Sequence, residues 1–593
     1  MKRVSLISGL LPLTAVSLLT GCVDDKYDLS NIDTTSRFTV DNLTVPVNLS
    51  EIKLEKVIKL DDNENISVEN GEYAIKKSGS IAPTEFNIGS VHVNAPQIAP
   101  TSISVDLGDL PVAPGTFIPG PMDLDPIDIQ PSDLVGYEFK MQNVDKALLV
   151  LRNVKTTPIE VKVVLTVPDG LASSGNKITF EDLELQLPWG LSGVSGVSAY
   201  DSSTGKVTVS SLPVGSNGQA VLTITSAGLE LNEKGEIKNQ GLAIAGQVGI
   251  LGGAIKLSVQ NITLPSSLDI SVGYHVSAFD VESFSGSIDY KMDDISIAPI
   301  SLSGLPDFLS NPETNIILAN PEIVVDITNP VAKYGLEGKG RLKLNSYFKE
   351  GDPESRTSNE FSLTDRDGDG KCRIVFATEE KPGESDICLF SGLGYVLTRL
   401  PENPTSITLG CGLPESISVS IENLSFSGDV TDFPLGNIGS AEGDSEFNAP
   451  HGFDAGSTVI YETTEGDCGS DDLDKVNINT IHLTALCTTD LPVALKLEVY
   501  PVDKNGNDIP VKESNADFLV PANAKNEPVR LIITAMDGST ITGFDGVRFK
   551  ATVAQNSPVI PGGGGDTEAL GPDLQIKLDD LHVTVDGYYE TDF

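Results

Sequence analysis

Apolar and polar residues alternate with period two along most of this 593-residue chain, and one motif with a polar pair recurs six times, the alternation changing phase across the pair in most copies. The six are Val40-Asp-Asn-Leu-Thr-Val45, Phe180-Glu-Asp-Leu-Glu-Leu185, Val259-Gln-Asn-Ile-Thr-Leu264, Met292-Asp-Asp-Ile-Ser-Ile297, Ile421-Glu-Asn-Leu-Ser-Phe426 and Leu578-Asp-Asp-Leu-His-Val583. Side chains of a strand alternate between faces, so a one-residue slip sends every later apolar residue to water. Ile576 and Leu578 share one phase, whereas Leu581, Val583 and Val585 take the other. A β-bulge at the polar pair, or a corner between packed sheets, keeps both sets on one face. A row of acidic ligands is the alternative use of these pairs.

The fold this pattern allows is all-β: tandem β-sandwich or barrel-like domains with bulged strands and little helix. Lys162-Val-Val-Leu-Thr-Val167 and Leu495-Lys-Leu-Glu-Val-Tyr500 are typical alternating runs. Asn70-Gly71, between Ile66-Ser-Val68 and Tyr73-Ala-Ile75, predicts a tight hairpin. The best helical candidate is a single turn at Leu305-Pro-Asp-Phe-Leu309. Residues 83–131 are rich in proline, which removes ladder donors, so they are expected as an edge, a linker or an extended wrap. Asn320-Pro321 and Asn329-Pro330 bracket a predicted strand, Glu322 to Thr328. The final strand, Leu574 to Val585, carries the same motif as Val40 to Val45, so the two chain ends are expected in one sheet. A longer likeness joins the stretch Val150 to Val163 with the stretch His482 to Leu497, as duplicated β-domains would.

The N-terminus says where such a body is held. Lys2 and Arg3 precede an apolar run from Val4 to Leu19, which has the length of a secretory signal and falls short of a membrane span. Leu19-Thr-Gly-Cys22 then matches a lipobox, making Cys22 the lipid-attachment residue. Two or three acyl chains anchor durably where one is marginal, at roughly 0.8 kcal/mol per buried methylene. The stretch Asp24-Asp25-Lys26-Tyr27-Asp28 resembles the export signal of Bacteroidetes outer-membrane surface lipoproteins. The longer opening from Cys22 through Asn31 and Asp33 is similar to that of a group of such lipoproteins, over about the first fifty residues. The resemblance implies a lipid anchor in the outer membrane, facing the cell exterior, and does not imply an activity.

Charge narrows the partners. The chain carries 84 Asp+Glu against 40 Lys+Arg, a net charge of −44, and phosphate repulsion makes nucleic acid an unsuitable partner. With 39% hydrophobic residues in a strand pattern, the acidity belongs to a solvated exterior and not to disorder. Beyond Cys22 stand Cys372, Cys388, Cys411, Cys468 and Cys487; an oxidising compartment permits disulfides, Cys372–Cys388 and Cys468–Cys487 being nearest in sequence. No C-x-x-C occurs, and five scattered histidines do not suggest zinc.

One motif has the look of a cation site. Asp365, Asp367 and Asp369, with Gly370 and the backbone carbonyl of Lys371, match the start of an EF-hand-like calcium loop, and calcium is the one candidate cofactor. The glutamate expected at position 12 is replaced by Phe376, leaving Glu379, Glu380 or a distant carboxylate to complete the shell. The other reading is an acidic turn. Asp503-Lys-Asn505-Gly-Asn507-Asp508 is a weaker match, since Asn-Gly alone explains a turn. Trp189, the single tryptophan, lies in Pro188-Trp-Gly190 at a strand end, as a rim platform or a core plug. No G-x-S-x-G, H-E-x-x-H or P-loop is present, so no catalytic residue is assigned.

The expected organisation is a signal peptide over 1–21 and a tether over 22–37. An N-terminal β region with its proline-rich segment follows over 38–135, then central β-domains over 136–348. C-terminal β-domains occupy 349–593, with the cysteines and a glycine-rich loop at 561–565. The expected function is non-enzymatic binding or interaction at the cell surface, accessory to outer-membrane nutrient uptake, with a membrane transporter or other surface lipoproteins as partners. A structural or adhesive protein is the alternative, and a surface hydrolase the third reading.

Overall fold

In the computed structural model, residues 35–592 are described except for 46–50, 54, 56–65, 70–71, 109, 173–174, 303–308, 310, 382–385, 400–411, 451–456, 466–472, 513–517 and 555–570. The chain is all-β, its few helical segments being single 3-10 turns such as Asn232–Lys234 and Ala332–Tyr334. No described helix is long and apolar enough to cross a membrane.

Two hydrophobic cores organise the strands. The first gathers residues from Ile81 to Ala449 inside one continuous, branching hydrogen-bonded network. The second gathers Val45 with residues from Leu473 to Val585. It is a sandwich. A six-stranded sheet contributes Ile481, Leu531 and Val585, and a four-stranded sheet contributes Leu497, Val499 and Phe549. The strand Thr35–Val45 lies at the edge of the six-stranded sheet against Gln575–Asp592, with Val45 opposite Val583. The two chain ends thus share a sheet, as their common motif predicts.

Four of the phase switches, at Asn42, Asp182, Asn423 and Asp580, are bulges inside a strand with a register shift, and the other two fall between strands, at Val259–Ile262 and Lys291–Ile295. The second polar residue is left-handed in five of the six copies: Asn42, Asp182, Asn261, Asn423 and Asp580 have φ between 46° and 57°. That conformation suits Asn and Asp, whose short polar side chains tolerate it. In Ser416–Pro434, Ile417, Val419 and Ile421 are buried before the bulge, and Leu424 and Phe426 after it. The extra residue therefore keeps one face inward, and pairing with Gly338–Tyr347 shifts register at the same place. At two of the bulges a carboxylate distant in sequence takes up the backbone N–H of the extra residue. Asn42 N–H donates to Asp586 Oδ1 at 2.7 Å, and Asn423 N–H to Asp294 Oδ1 at 3.4 Å. Asp294 belongs to the sixth copy, so two copies face each other across one strand pair. The Asn42 N–H, with help from His482 at 3.0 Å, holds the Asp586 carboxyl below the usual carboxylate range. Asp294 and Asp586 thus serve bulges, and among the described residues no group of three or more His, Cys, Asp or Glu is placed to hold a metal ion.

Several local expectations hold. Glu69 pairs with Glu72 and Val68 with Tyr73, the register of a two-residue hairpin connection. Glu322–Thr328 is a strand. The proline-rich segment is an extended wrap of short strands: Thr101–Asp106 lies along Ser267–Val276, and Ile127–Ile129 lies along Gly241–Val259. Pro158 sits inside the long strand Leu148–Thr166, at the register shift between Lys155 and Ile159, where its missing donor is tolerated. The similar stretch from His482 is instead broken into Val476–Thr489 and Leu495–Val502, which belong to different sheets. The turn expected at Leu305–Leu309 falls almost wholly outside the described residues.

Cys372, Cys388 and Cys487 are buried and free. Cys388 lies opposite Phe376, four residues along the strand from Cys372, or about 13 Å at the strand rise and beyond the roughly 7 Å a disulfide allows. Cys411 and Cys468 lie outside the described residues.

Candidate ligand groove beside Trp189

Trp189 sits on a corner held by two tyrosines, the buried Tyr137 and the half-buried Tyr200. Tyr137 Oη accepts the Trp189 backbone N–H at 3.0 Å; Tyr200 Oη donates to the Pro188 carbonyl and accepts the Leu191 N–H at 3.2 Å. Burial pushes the Tyr137 hydroxyl up to about 12 and raises Tyr200 further, so both stay protonated at neutral pH. Gly190, at φ 80°, lets the corner turn: a Cβ there would stand 3.0 Å from the Glu230 carbonyl oxygen. The indole is half-buried against the first core, and its Nε1–H donates to the Ala245 carbonyl at 3.0 Å. Over the ring stands the Lys234 ammonium, 4.0 Å from the centroid. The tryptophan is thus neither an open platform nor a sealed plug.

Lys234 also lines a groove of about 610 Å³. One boundary is the antiparallel pair Val135–Gln142 and Gly241–Val259, in which Lys140 lies opposite Ala243 and Gln142 opposite Gly241. Gly241 and the exposed Ala243 bring little side-chain bulk beside the longer Lys140 and Gln142, which suits a depression. The segment 233–238 supplies Glu233, Lys234, Glu236 and Lys238.

That segment is bolted to the strand Leu148–Thr166. Leu231 N–H donates to the Arg152 carbonyl at 2.7 Å, Leu151 N–H to the Gly235 carbonyl at 2.8 Å, and Ile237 N–H to the Leu149 carbonyl at 2.9 Å. Gly235 is required by this closeness, since a Cβ there would lie 1.6 Å from the Leu151 oxygen. The segment ends in a tight turn with Asn239 and Gln240 both left-handed, closed by two hydrogen bonds between Lys238 and Gly241. Gln240 is the one described residue with positive φ that is not Asn, Asp or Gly. Backbone in so sparsely used a region costs on the order of 1–3 kcal/mol, and such residues concentrate at binding sites.

The groove's charges are not equally committed. Lys140 pairs with Glu138 at 2.8 Å and Lys238 with Glu236 at 3.0 Å, exposed pairs of little net worth. Among the described residues, no carboxylate forms an ion pair with Lys234. Sequence reading singled out Trp189 but not the lysines, whose positions facing the indole depend on pairing between distant segments.

The calcium-like loop is tied into turns. Asp365 accepts Gly368 N–H at 2.8 Å on one oxygen and Gly370 N–H at 3.0 Å on the other; Asp369 accepts Lys371 N–H at 2.9 Å. Gly368 and Gly370 are left-handed, and Asp367 is exposed. Among the described residues no group of three or more His, Cys, Asp or Glu is placed to hold a metal ion. Asp503 likewise accepts the Asn505 and Asn507 N–H groups, at 2.8 and 2.9 Å. Asp365→Asn is expected to lower stability by about 1–2 kcal/mol, with or without a chelator, because it weakens a carboxylate serving two backbone donors. Thermal melts check this; a calcium-dependent rise in melting temperature that Asp367→Ala removes would show instead that the loop holds the ion. Cys22 lies outside the described residues.

No family model and no curated protein matches the chain. Among solved structures, a protein from Parabacteroides distasonis described as secreted is similar at a TM-score of 0.34 and 14% identity, covering 52% of this chain and 90% of its own. The Faustovirus major capsid protein is similar at a TM-score of 0.07 and 9% identity, covering 98% and 93%. Neither likeness is close enough to carry a statement about this chain.

Proposed function

We propose that the chain is a lipid-anchored, non-enzymatic binding or interaction protein on the outer surface of a cell, accessory to nutrient uptake through the outer membrane. The reading is carried by the lipobox Leu19-Thr-Gly-Cys22, placed twelve residues before the strand Thr35–Val45. Twelve extended residues span at most about 45 Å, so acyl chains on Cys22 would hold the second core within that reach of a bilayer. The acidic Asp24-Asp25-Lys26-Tyr27-Asp28 supports export to the outer face, and the groove beside Trp189 supports a binding role. Calcium is kept as a candidate structural ion at Asp365, Asp367 and Asp369, tested by the melts above.

Cys22→Ser is expected to move the protein from the membrane fraction to the soluble one and to abolish fatty-acid labelling. Retained labelling would refute the anchor. Affinity capture from intact cells with the anchored protein as bait tests the partner, and recovery of an outer-membrane transporter is the expected result. A structural or adhesive role is favoured by one observation: the edge strand Thr35–Val45 leaves Phe38 52% and Leu43 40% exposed. That reading predicts self-assembled multimers in place of a transporter complex.

A further inference from the structure

We infer that the groove beside Trp189 binds a carboxylate-bearing saccharide, and that Lys234 is the residue that selects it. The inference deepens the reading of the chain as a binding protein and rests on it. The Lys234 ammonium occupies the indole face at 4.0 Å, and among the described residues no carboxylate pairs with it. A cation over an aromatic face at an exposed site is held weakly, less firmly than by a charge-assisted bond to a carboxylate whose own molecule is seated in the groove. A ligand carboxylate therefore draws Lys234 off the ring. The exchange bares the indole face, and the apolar C–H face of a sugar ring replaces the ammonium there.

The surrounding groups suit the rest of such a molecule. Glu233, Glu236 and Gln142 offer hydroxyl partners, and Lys140 and Lys238 need only leave weak exposed pairs to meet a second carboxylate. A volume of about 610 Å³ falls within the roughly 300–1,000 Å³ of small-molecule sites. The segment that lines the groove is already in place, fixed by three backbone hydrogen bonds around Gly235, and Lys234 links it to the Trp189 corner that Tyr137 and Tyr200 hold beside the groove. Such preorganisation reduces what binding costs in ordering. On a chain of net charge −44, a lysine that faces a groove and pairs with no carboxylate among the described residues is the group an acidic ligand would seek.

Trp189 is the only tryptophan, so its emission reports on this site alone. Full-length acylated protein in detergent is titrated with trigalacturonate, with maltotriose as the neutral probe and sodium acetate as the simple anion. The expected result is a saturable change in emission with trigalacturonate, at least tenfold weaker binding of maltotriose, and no saturable change with acetate. Lys234→Met keeps the apolar stem and should weaken trigalacturonate about 10- to 100-fold. Trp189→Leu, read by calorimetry, should weaken it comparably, with an unchanged circular dichroism spectrum. Equal binding of maltotriose, an equal response to acetate, no binding of trigalacturonate, or an unchanged Lys234→Met titration would each overturn the assignment. Fatty-acid labelling of the same preparation reports the anchor separately, so failure here is distinguishable from failure of the lipoprotein reading.

Discussion

Deleting Asn423 is expected to abolish cooperative folding of the first core, while Asn423→Gly is expected to leave it within about 0.5 kcal/mol of the native protein. Asn423 is the extra residue that returns Leu424 and Phe426, 1% and 0% exposed, to the face that buries Ile417, Val419 and Ile421. Without it the strand must choose between the two sets. Leu424, Phe426, Val430 and Phe433 are buried beyond the bulge, and turning such side chains to water costs roughly 1.5–3 kcal/mol each. Several such losses approach the whole stability of an ordinary domain, about 5–15 kcal/mol. Glycine adopts φ 57° without strain, so the conservative variant separates the bulge from the side chain. Asn423→Val, β-branched at a left-handed position, should fall between, at about 1–3 kcal/mol. A deletion variant that melts like the native chain would show that the strand can reach its register some other way.

Phe86→Ala is expected to cost about 3–5 kcal/mol, and to shift only the transition of the first core. Phe86 is fully buried, stacked on Tyr290 at 3.9 Å and set edge-on to Phe426 at 5.4 Å and Phe433 at 6.2 Å. It therefore joins Glu72–Ile88, Phe279–Lys291 and Ser416–Pro434, strands far apart in sequence. Removing the ring leaves a cavity that its three aromatic neighbours, from two other strands, cannot all close. The second core shares none of these residues. Differential scanning calorimetry checks the assignment, and an equal shift in every transition would show that the two cores unfold as one unit.

The bulge rule shows how far sequence reading reaches. An apolar residue, two polar ones and a second apolar residue marked a bulge or corner from sequence, and the structure adds that the second polar residue is left-handed in five of the six copies. The sixth copy, Met292 to Ile297, is not left-handed at Asp294; its carboxylate serves Asn423 instead. Two further left-handed positions in the same pattern escaped, Asn143 in Met141-Gln-Asn143-Val144 and Asp432 in Val430-Thr-Asp432-Phe433. The first strand ends at Gln142, and Pro434 follows the second position, so neither shows the renewed alternation that marks the others. The function of the acids was also hidden. Asp586 accepts a bond from Asn42, 544 residues earlier, and no local pattern predicts such a partner.

The candidate site was legible in one residue. Trp189 between Pro188 and Gly190 marked a strand-end corner, but whether the indole met solvent or core depended on Lys234, Ala245 and Tyr137. The acidic loop at Asp365 illustrates the opposite limit. Its spacing fits both a cation shell and a set of turns, because both need oxygens at short intervals around glycines.

Alternation, its phase switches and the turn residues are local properties, repeated every few residues, and by themselves they determined an all-β chain with bulged strands. The N-terminal residues likewise carry the anchor's signature within one short stretch. Which strands pair, that the first strand closes the last sheet, and that a lysine stands over the only indole were decided by tertiary structure. Those outcomes depend on burial shared among segments hundreds of residues apart, and period two is the same for every strand that competes for a place.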